Sequence, residues 1–191
     1  MQKDTKKLLS QAFIEQLNRK PFDKITIKDI VDEAGVNRNT FYYYYSDVYD
    51  LLEEIFKKEM MFILDEHDTQ GSYLKAFVKV AQTAYNHRKV INNICSSRSY
   101  DYFENYMYKA CNHIIVDFVK SLAGDMKVPD KDVEFIAAFY EYAFVGIISE
   151  WFRTGMREEP LELAGQISLV VGGVRLALKQ SERRTRDLSD D

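Results

Sequence analysis

The sequence predicts an all-α protein in two parts, a small three-helix N-terminal unit and a larger helical domain. Apolar residues recur at spacings of three and four, the period of a helix with one buried face. No strand-period segment is longer than a few residues. Only three prolines and eight glycines interrupt 191 residues, so long unbroken helices are the default.

Leu9, Phe13 and Leu17, with Leu8 and Ala12 beside them, define a first helix that ends before "RKPFDKIT", where Pro21 breaks the pattern. Thr26 followed by Asp29 has the spacing of a capping box and starts a second helix. Ile27, Ile30, Val31 and Ala34 give that helix one apolar face, and Gly35 stops it by accepting a left-handed conformation. Asn37 caps a short third helix. Ser46 and Asp47 interrupt it, and a longer helix runs from Val48 toward Ile63. Two short helices joined by a glycine-containing three-residue turn, held by a preceding helix, describe a helix-turn-helix. Beyond residue 68, apolar helical segments follow at about 72–88, 100–122, 131–154 and 160–181, bounded by Gly124, Pro129, Gly155 and Pro160. The polar stretch "RRTRDLSDD" reads as a frayed tail.

Composition excludes several classes. Apolar residues make up 46% and charged residues 29%, values of a soluble globular chain rather than a disordered one. Cys95 and Cys111 lack CxxC spacing and read as reduced, packed thiols of a cytoplasmic protein. "MQKDTKKLLSQAF" has no long apolar core of a signal peptide. "FIAAFYEYAFVGIISEWF" could pass for a membrane span, but it carries Glu141 and Glu150. A central charge costs about 2.5–3.5 kcal/mol on insertion, so a buried helix is the better reading. His67, His87 and His113 show no metal-ligand spacing, and no Walker A, GxSxG, HExxH or GxGxxG string occurs. No enzyme, metal or cofactor is expected. The net charge is −4, and the first 58 residues hold ten basic and ten acidic side chains. Any nucleic-acid contact must therefore come from where charges sit.

Residues 1 to about 60 resemble the N-terminal domain of the TetR/AcrR family of bacterial transcriptional regulators. The stretch "ITIKDIVDEAGVNRNTFYYYYSDVYDLLEEI" carries the resemblance: a capped helix, a Gly-Val-polar turn, an aromatic recognition segment and a Leu-Leu pair. In a helix-turn-helix the second helix enters the major groove with its N-terminal residues on base edges. Those residues are Asn37, Arg38, Asn39 and Thr40, and Arg pairs with guanine as Asn does with adenine. A solvated, Asn-capped helix start uses the same residue types. The resemblance implies that Tyr42, Tyr43 and Tyr44 face DNA, that Lys28 touches it, and that Phe41 and Tyr45 pin the helix to its domain. Tyr44 stands where the family commonly has His, and Val48 where it often has Lys. Lys3, Lys6 and Lys7 could reach phosphates or be solvated surface charge.

The expected architecture is thus an all-α chain with a helix-turn-helix DNA-binding domain over 1–60. A helical effector-binding and dimerisation domain follows over 61–181, then a polar tail over 182–191. Phenols among apolar aromatics suit a pocket for a mostly apolar small-molecule effector. Tyr85, Tyr102, Phe103, Tyr106, Phe139 and Tyr142 are the candidates, although aromatics at helical spacing are more often core. The apolar stripe of the 131–154 helix is too broad for one neighbour. The family's dimers pack their last two long helices together, which implies a homodimer through Phe144, Ile148, Phe152, Ile167, Val171, Val174 and Leu178. The expected function is a cytoplasmic repressor that binds a palindromic double-stranded DNA operator and is released by its effector, with no membrane partner. The alternative is a co-activator of the same fold that works through a protein partner and binds DNA weakly or not at all.

Overall fold

The computed structural model describes residues 2–65, 73–98 and 100–187. Nine α-helices occur among them: α1 (Gln2–Leu17), α2 (Ile27–Ala34), α3 (Arg38–Tyr44), α4 (Val48–Asp65), α5 (Tyr73–Asn86), α6 (Arg88–Cys95), α7 (Tyr100–Ala123), α8 (Asp130–Arg153) and α9 (Pro160–Asp187). A 3-10 turn, Phe22–Lys24, links α1 to α2.

Phe22 of that turn is buried edge-on between Phe13 of α1 and Tyr49 of α4. The second helix starts where its cap dictates. Thr26 Oγ accepts the Asp29 N–H at 3.2 Å, and Asp29 Oδ2 accepts the Thr26 N–H at 2.8 Å. It ends at Gly35 with φ 66°.

Residue 60 lies inside α4, which crosses it without a break. One hydrophobic cluster joins Leu9, Phe13, Ile30 and Phe41 of the first helices to Ile94, Phe103, Trp151 and Phe152 of the larger domain. The bridge is aromatic. Phe56 of α4 lies 4.8 Å from Phe103, centroid to centroid, and Phe103 lies 6.1 Å from Phe152. Asn93 of α6 donates to the Leu17 carbonyl at 2.7 Å, tying the end of α1 to the larger domain. A second cluster, Val119, Val133, Ile136, Ala137, Val174 and Leu178, closes the far ends of α7, α8 and α9. There Tyr140 crosses α9 so closely that a Cβ at Gly173 would meet its hydroxyl at 2.6 Å.

The structure departs from the sequence reading in two places. A separate eight-residue helix, α6, fills a stretch with no expected element, burying Val90, Ile91 and Ile94. The last helix does not end at 181. Asp132 accepts from both Ser181 and Arg184, and Glu182 accepts the Lys127 N–H at 3.1 Å, so α9 stays anchored to Asp187. Residues 188–191 lie outside the described residues.

The capping box gives the first prediction. Thr26→Ala should lower the stability of the fold by about 1 kcal/mol, the ordinary worth of such a cap, read as a shift in denaturant midpoint. The Lys20 ammonium and the Thr26 hydroxyl hold the Asp29 carboxyl down to about 2. A depressed folded pKa stabilises above the unfolded value, about 3.9 for Asp, and that contribution disappears as pH falls toward the folded value. Asp29→Asn should therefore be less stable than wild type at pH 6, with the difference shrinking between about pH 4 and 2.

Candidate nucleic-acid interface

A seven-residue helix presents the most distinctive surface of the N-terminal unit. Asn37 sits in extended conformation before α3, and its Oδ1 accepts the Thr40 N–H at 2.8 Å and the Thr40 hydroxyl at 3.0 Å. These two polar groups therefore hold the helix start. Phe41 and Tyr45 lie on the inner side, with relative exposures of 0% and 2%. On the outer side stand Arg38, Asn39, Tyr42 and Tyr43, all exposed. Positions i, i+1, i+4 and i+5 share one helical face, so burial of Phe41 and Tyr45 fixes which four point outward.

The four tyrosines divide accordingly. Tyr43 is 71% exposed and Tyr42 49%, while Tyr44 is half-buried and Tyr45 is core. Their rings meet edge-on or tilted: Tyr43 to Tyr44 at 4.8 Å, Phe41 to Tyr42 at 5.8 Å. The Arg38 guanidinium lies over the Tyr42 ring at 5.7 Å and donates to its hydroxyl at 3.4 Å. The guanidinium thus rests beside the exposed Tyr42 ring on the outer face of the helix.

Charged groups around this face are largely paired. Lys28 bonds Asp32 at 2.5 Å, a contact that raises its pKa. Arg19 pairs with Glu33 at 2.6 Å. Val48 starts α4 half-buried against the core rather than reaching outward. Asp47 caps α4 by accepting the Tyr49 and Asp50 N–H groups at 2.8 and 2.9 Å. Lys6 pairs with Glu54, and its ammonium lies over the Tyr45 ring at 5.3 Å. The side chain of Lys3 lies outside those described.

The six aromatic residues expected to line a pocket do not meet in one cavity. Phe103 is core. Tyr85 stacks on Trp151 at 6.5 Å and donates to Glu159 at 2.9 Å. Phe139 and Tyr142 point outward on α8, 60% and 65% exposed. Tyr102 and Tyr106 alone come together, bordering an open groove of about 210 Å³ between α4 and α7 with Glu53, Asn105 and Lys109. Tyr102 donates to Glu53 at 3.1 Å across it. Burial pushes the Tyr106 phenol up to about 12.

The residues expected at a subunit interface are corrected by the same geometry. Ile148, Phe152, Ile167, Val174 and Leu178 are buried within their own chain. Phe144 packs on Phe77 at 5.3 Å, and Val171 is half-buried against the core. Outward on α8 stand Phe135, Phe139, Tyr142 and Gly146, and outward on α9 stand Gly165, Leu169, Gly172 and Leu176. Both sets follow i, i+4, i+7 and i+11. Among the described residues, no cluster of three His, Cys, Asp or Glu is placed to hold a metal; His67 lies outside them.

Residues 9–55 match the family model described as "Bacterial regulatory proteins, tetR family", and residues 71–173 match a TetR-type model described as "Transcriptional regulator C-terminal region". Among solved structures, the dihydroxyacetone kinase operon activator DhaS is 21% identical, with 93% of this chain and 96% of that one covered at a TM-score of 0.66. A TetR transcriptional regulator from Streptococcus agalactiae 2603V is 19% identical, with 86% and 94% covered at 0.61. At these identities the likeness is one of fold. No curated protein sequence is similar enough to register as a relative.

Proposed function

The chain belongs to the TetR family of bacterial transcriptional regulators, and from that premise we propose that it is a homodimeric, effector-released repressor that works in the cytoplasm on a palindromic operator. The observation that carries the DNA-reading part is the outward face of α3. Arg38 and Asn39 are the residue types that pair bidentately with guanine and adenine. Tyr42 and Tyr43 add neutral hydroxyl donors for phosphate oxygens, which lets a domain without net charge hold a duplex. Asn37 and Thr40 serve the helix start, Tyr44 supports the face from the side, and Lys28 reaches DNA only by exchanging Asp32 for a phosphate. Neither matching family model describes an enzyme.

Supporting the dimer is the unpartnered stripe on α8 and α9. Leu169 is 82% exposed, and the glycines of the stripe have open space above them. A second copy seated there would bury Phe135, Phe139, Tyr142, Leu169 and Leu176 in a four-helix contact. We place the effector in the larger domain, with its entry at the Tyr102–Tyr106 groove. That groove joins α4 to α7, so an occupant would press on the helix that follows the reading helix.

A second reading has its own support. The ion-paired Lys28, the inward Val48 and the neutral charge balance of the N-terminal unit favour a co-activator that meets DNA weakly and works through a protein partner.

A binding titration against the DNA upstream of the gene, run as a salt series, separates the two readings. Arg38→Ala should weaken the true operator by about 1–3 kcal/mol and leave random duplex nearly unchanged. Tyr42→Phe and Tyr43→Phe should each cost about 0.5–1.5 kcal/mol without altering the slope of log K against log salt, because a phenol releases no counterion. Wild-type affinity in all three variants would hand the lead to the co-activator reading.

Light scattering should return twice the 22.4 kDa chain mass at micromolar concentration. Leu169→Asp combined with Phe139→Asp, both outside the chain's own core, should leave helicity intact and return the single-chain mass. An undiminished dimer in that double variant would exclude this face as the interface.

A further inference from the structure

One carboxylate links three helices of the N-terminal unit, and the regulatory reading above assigns it no task. We infer that Glu54 is the positioning residue of α3, holding it through the Tyr45 hydroxyl, with Lys6 as its counter-ion rather than a DNA contact. The inference rests on the reading that α3 faces DNA.

The geometry is specific. Glu54 lies on α4, and its Oε1 accepts the Tyr45 hydroxyl at 3.1 Å. Its Oε2 pairs with Lys6 of α1, and Lys58, one turn on, closes over Oε1. Burial alone would disfavour the charged carboxylate, but the bonds from Lys58, Lys6 and Tyr45 outweigh it and hold the group down to about 2. It is charged at every physiological pH. Tyr45 is the residue at which α3 stops: its backbone is extended, and its N–H makes the last helical bond, to the Phe41 carbonyl at 2.9 Å. Its phenol is raised by burial first and by Glu54 second, so it remains a donor. The ring therefore packs the helix end, and the hydroxyl fixes its rotation.

Lys6 has partners beyond the carboxylate. Besides Glu54, its ammonium sits 5.3 Å from the Tyr45 ring centroid and 6.0 Å from that of Tyr44. Reaching a phosphate would strip Oε2 of this half-buried carboxylate of its ammonium and leave Lys58 and Tyr45 on Oε1 alone, which opposes the exchange. One acid thus sets the pose of the Arg38, Asn39, Tyr42 and Tyr43 face without touching DNA.

A double-mutant cycle on full-length dimer tests this, with matched far-ultraviolet dichroism as the folding control. Tyr45→Phe and Glu54→Met, which leaves no acceptor for the phenol, should each weaken operator binding about three- to tenfold, the worth of one net hydrogen bond. The double variant should be no weaker than the worse single one, because both remove the same link. Without DNA, amide exchange over residues 41–45 should speed up in both variants. Lys6→Met should leave the slope of log K against log salt unchanged, whereas a phosphate contact would lower it by about one. Additive losses, unchanged amide exchange in both variants, or a slope lowered by one in Lys6→Met would each overturn the inference. If wild type binds no operator, the DNA-binding reading fails on its own, and amide exchange still decides whether Glu54 holds α3.

Discussion

A helix of seven residues has no stability of its own in water, since helices shorter than about 12–15 residues are marginal even for good helix formers. The α3 helix exists because its two ends and one side are held from outside. Asn37 satisfies the start, Tyr45 stops the end, and Phe41 and Tyr45 are buried in the hydrophobic cluster that also holds residues of α1, α2 and α4. That burial fixes rotation as well as existence. A turn of one residue, about 100°, would bring Tyr42 into the core and carry Phe41 to the surface, and no phenol hydroxyl would then find the Glu54 carboxylate. Everything that the outward face can recognise follows from these two inward rings.

The same unit shows how a neutral domain can keep a surface fit for a polyanion. Its acids are placed where helices need them: Asp29 in a capping box, Asp47 at the start of α4, Glu33 and Glu54 against Arg19 and Lys6. Charge spent on structure is neutralised locally, and paired surface charges contribute little to the field at a distance. Arg38 is left stacked on Tyr42 at the rim of the face. The exposed phenols of Tyr42 and Tyr43 beside it are donors that carry no charge.

Much of this was legible in the sequence because the signals are local. Thr26 and Asp29, Gly35, Asn37 and the Ser46–Asp47 pair each mark a boundary through a bond within four residues, and the helices start and stop there. What was not legible depends on partners far along the chain. α6 has an apolar face in Val90, Ile91 and Ile94, but no side-chain cap marks its start at His87, and Asn93 ties it to the distant Leu17. The tail stays helical because Asp132 waits for Arg184. Aromatic residues in the larger domain looked like pocket lining since composition cannot tell inside from outside. Phe103 went to the core, Phe139 to the surface, and Tyr102 and Tyr106 share a groove.

The last two helices carry the most consequential ambiguity. Both are long and apolar enough to cross a membrane by length and composition, yet each also buries part of that surface against the rest of the chain. A helix apolar on two opposite sides needs two partners. The inner side of α8, through Val133, Ile136, Ala137, Val145 and Ile148, already has one. The outer side of α8 and of α9 repeats at the same spacing, with glycines permitting close approach, which is the pattern of a helix that packs on a copy of itself. Such a contact would also act at a distance. The C-terminal end of α8 holds the core around Phe152 and Trp151, α6 lies beside it, and Asn93 of α6 grips the end of α1. Two reading helices in a dimer of this kind would be spaced by a continuous run of packed side chains. Operator half-sites about one helical turn apart, some 34–36 Å, require that sort of stiffness. The groove between Tyr102 and Glu53 lies off that run, between α4 and α7, where α4 continues from the helix-turn-helix into the larger domain.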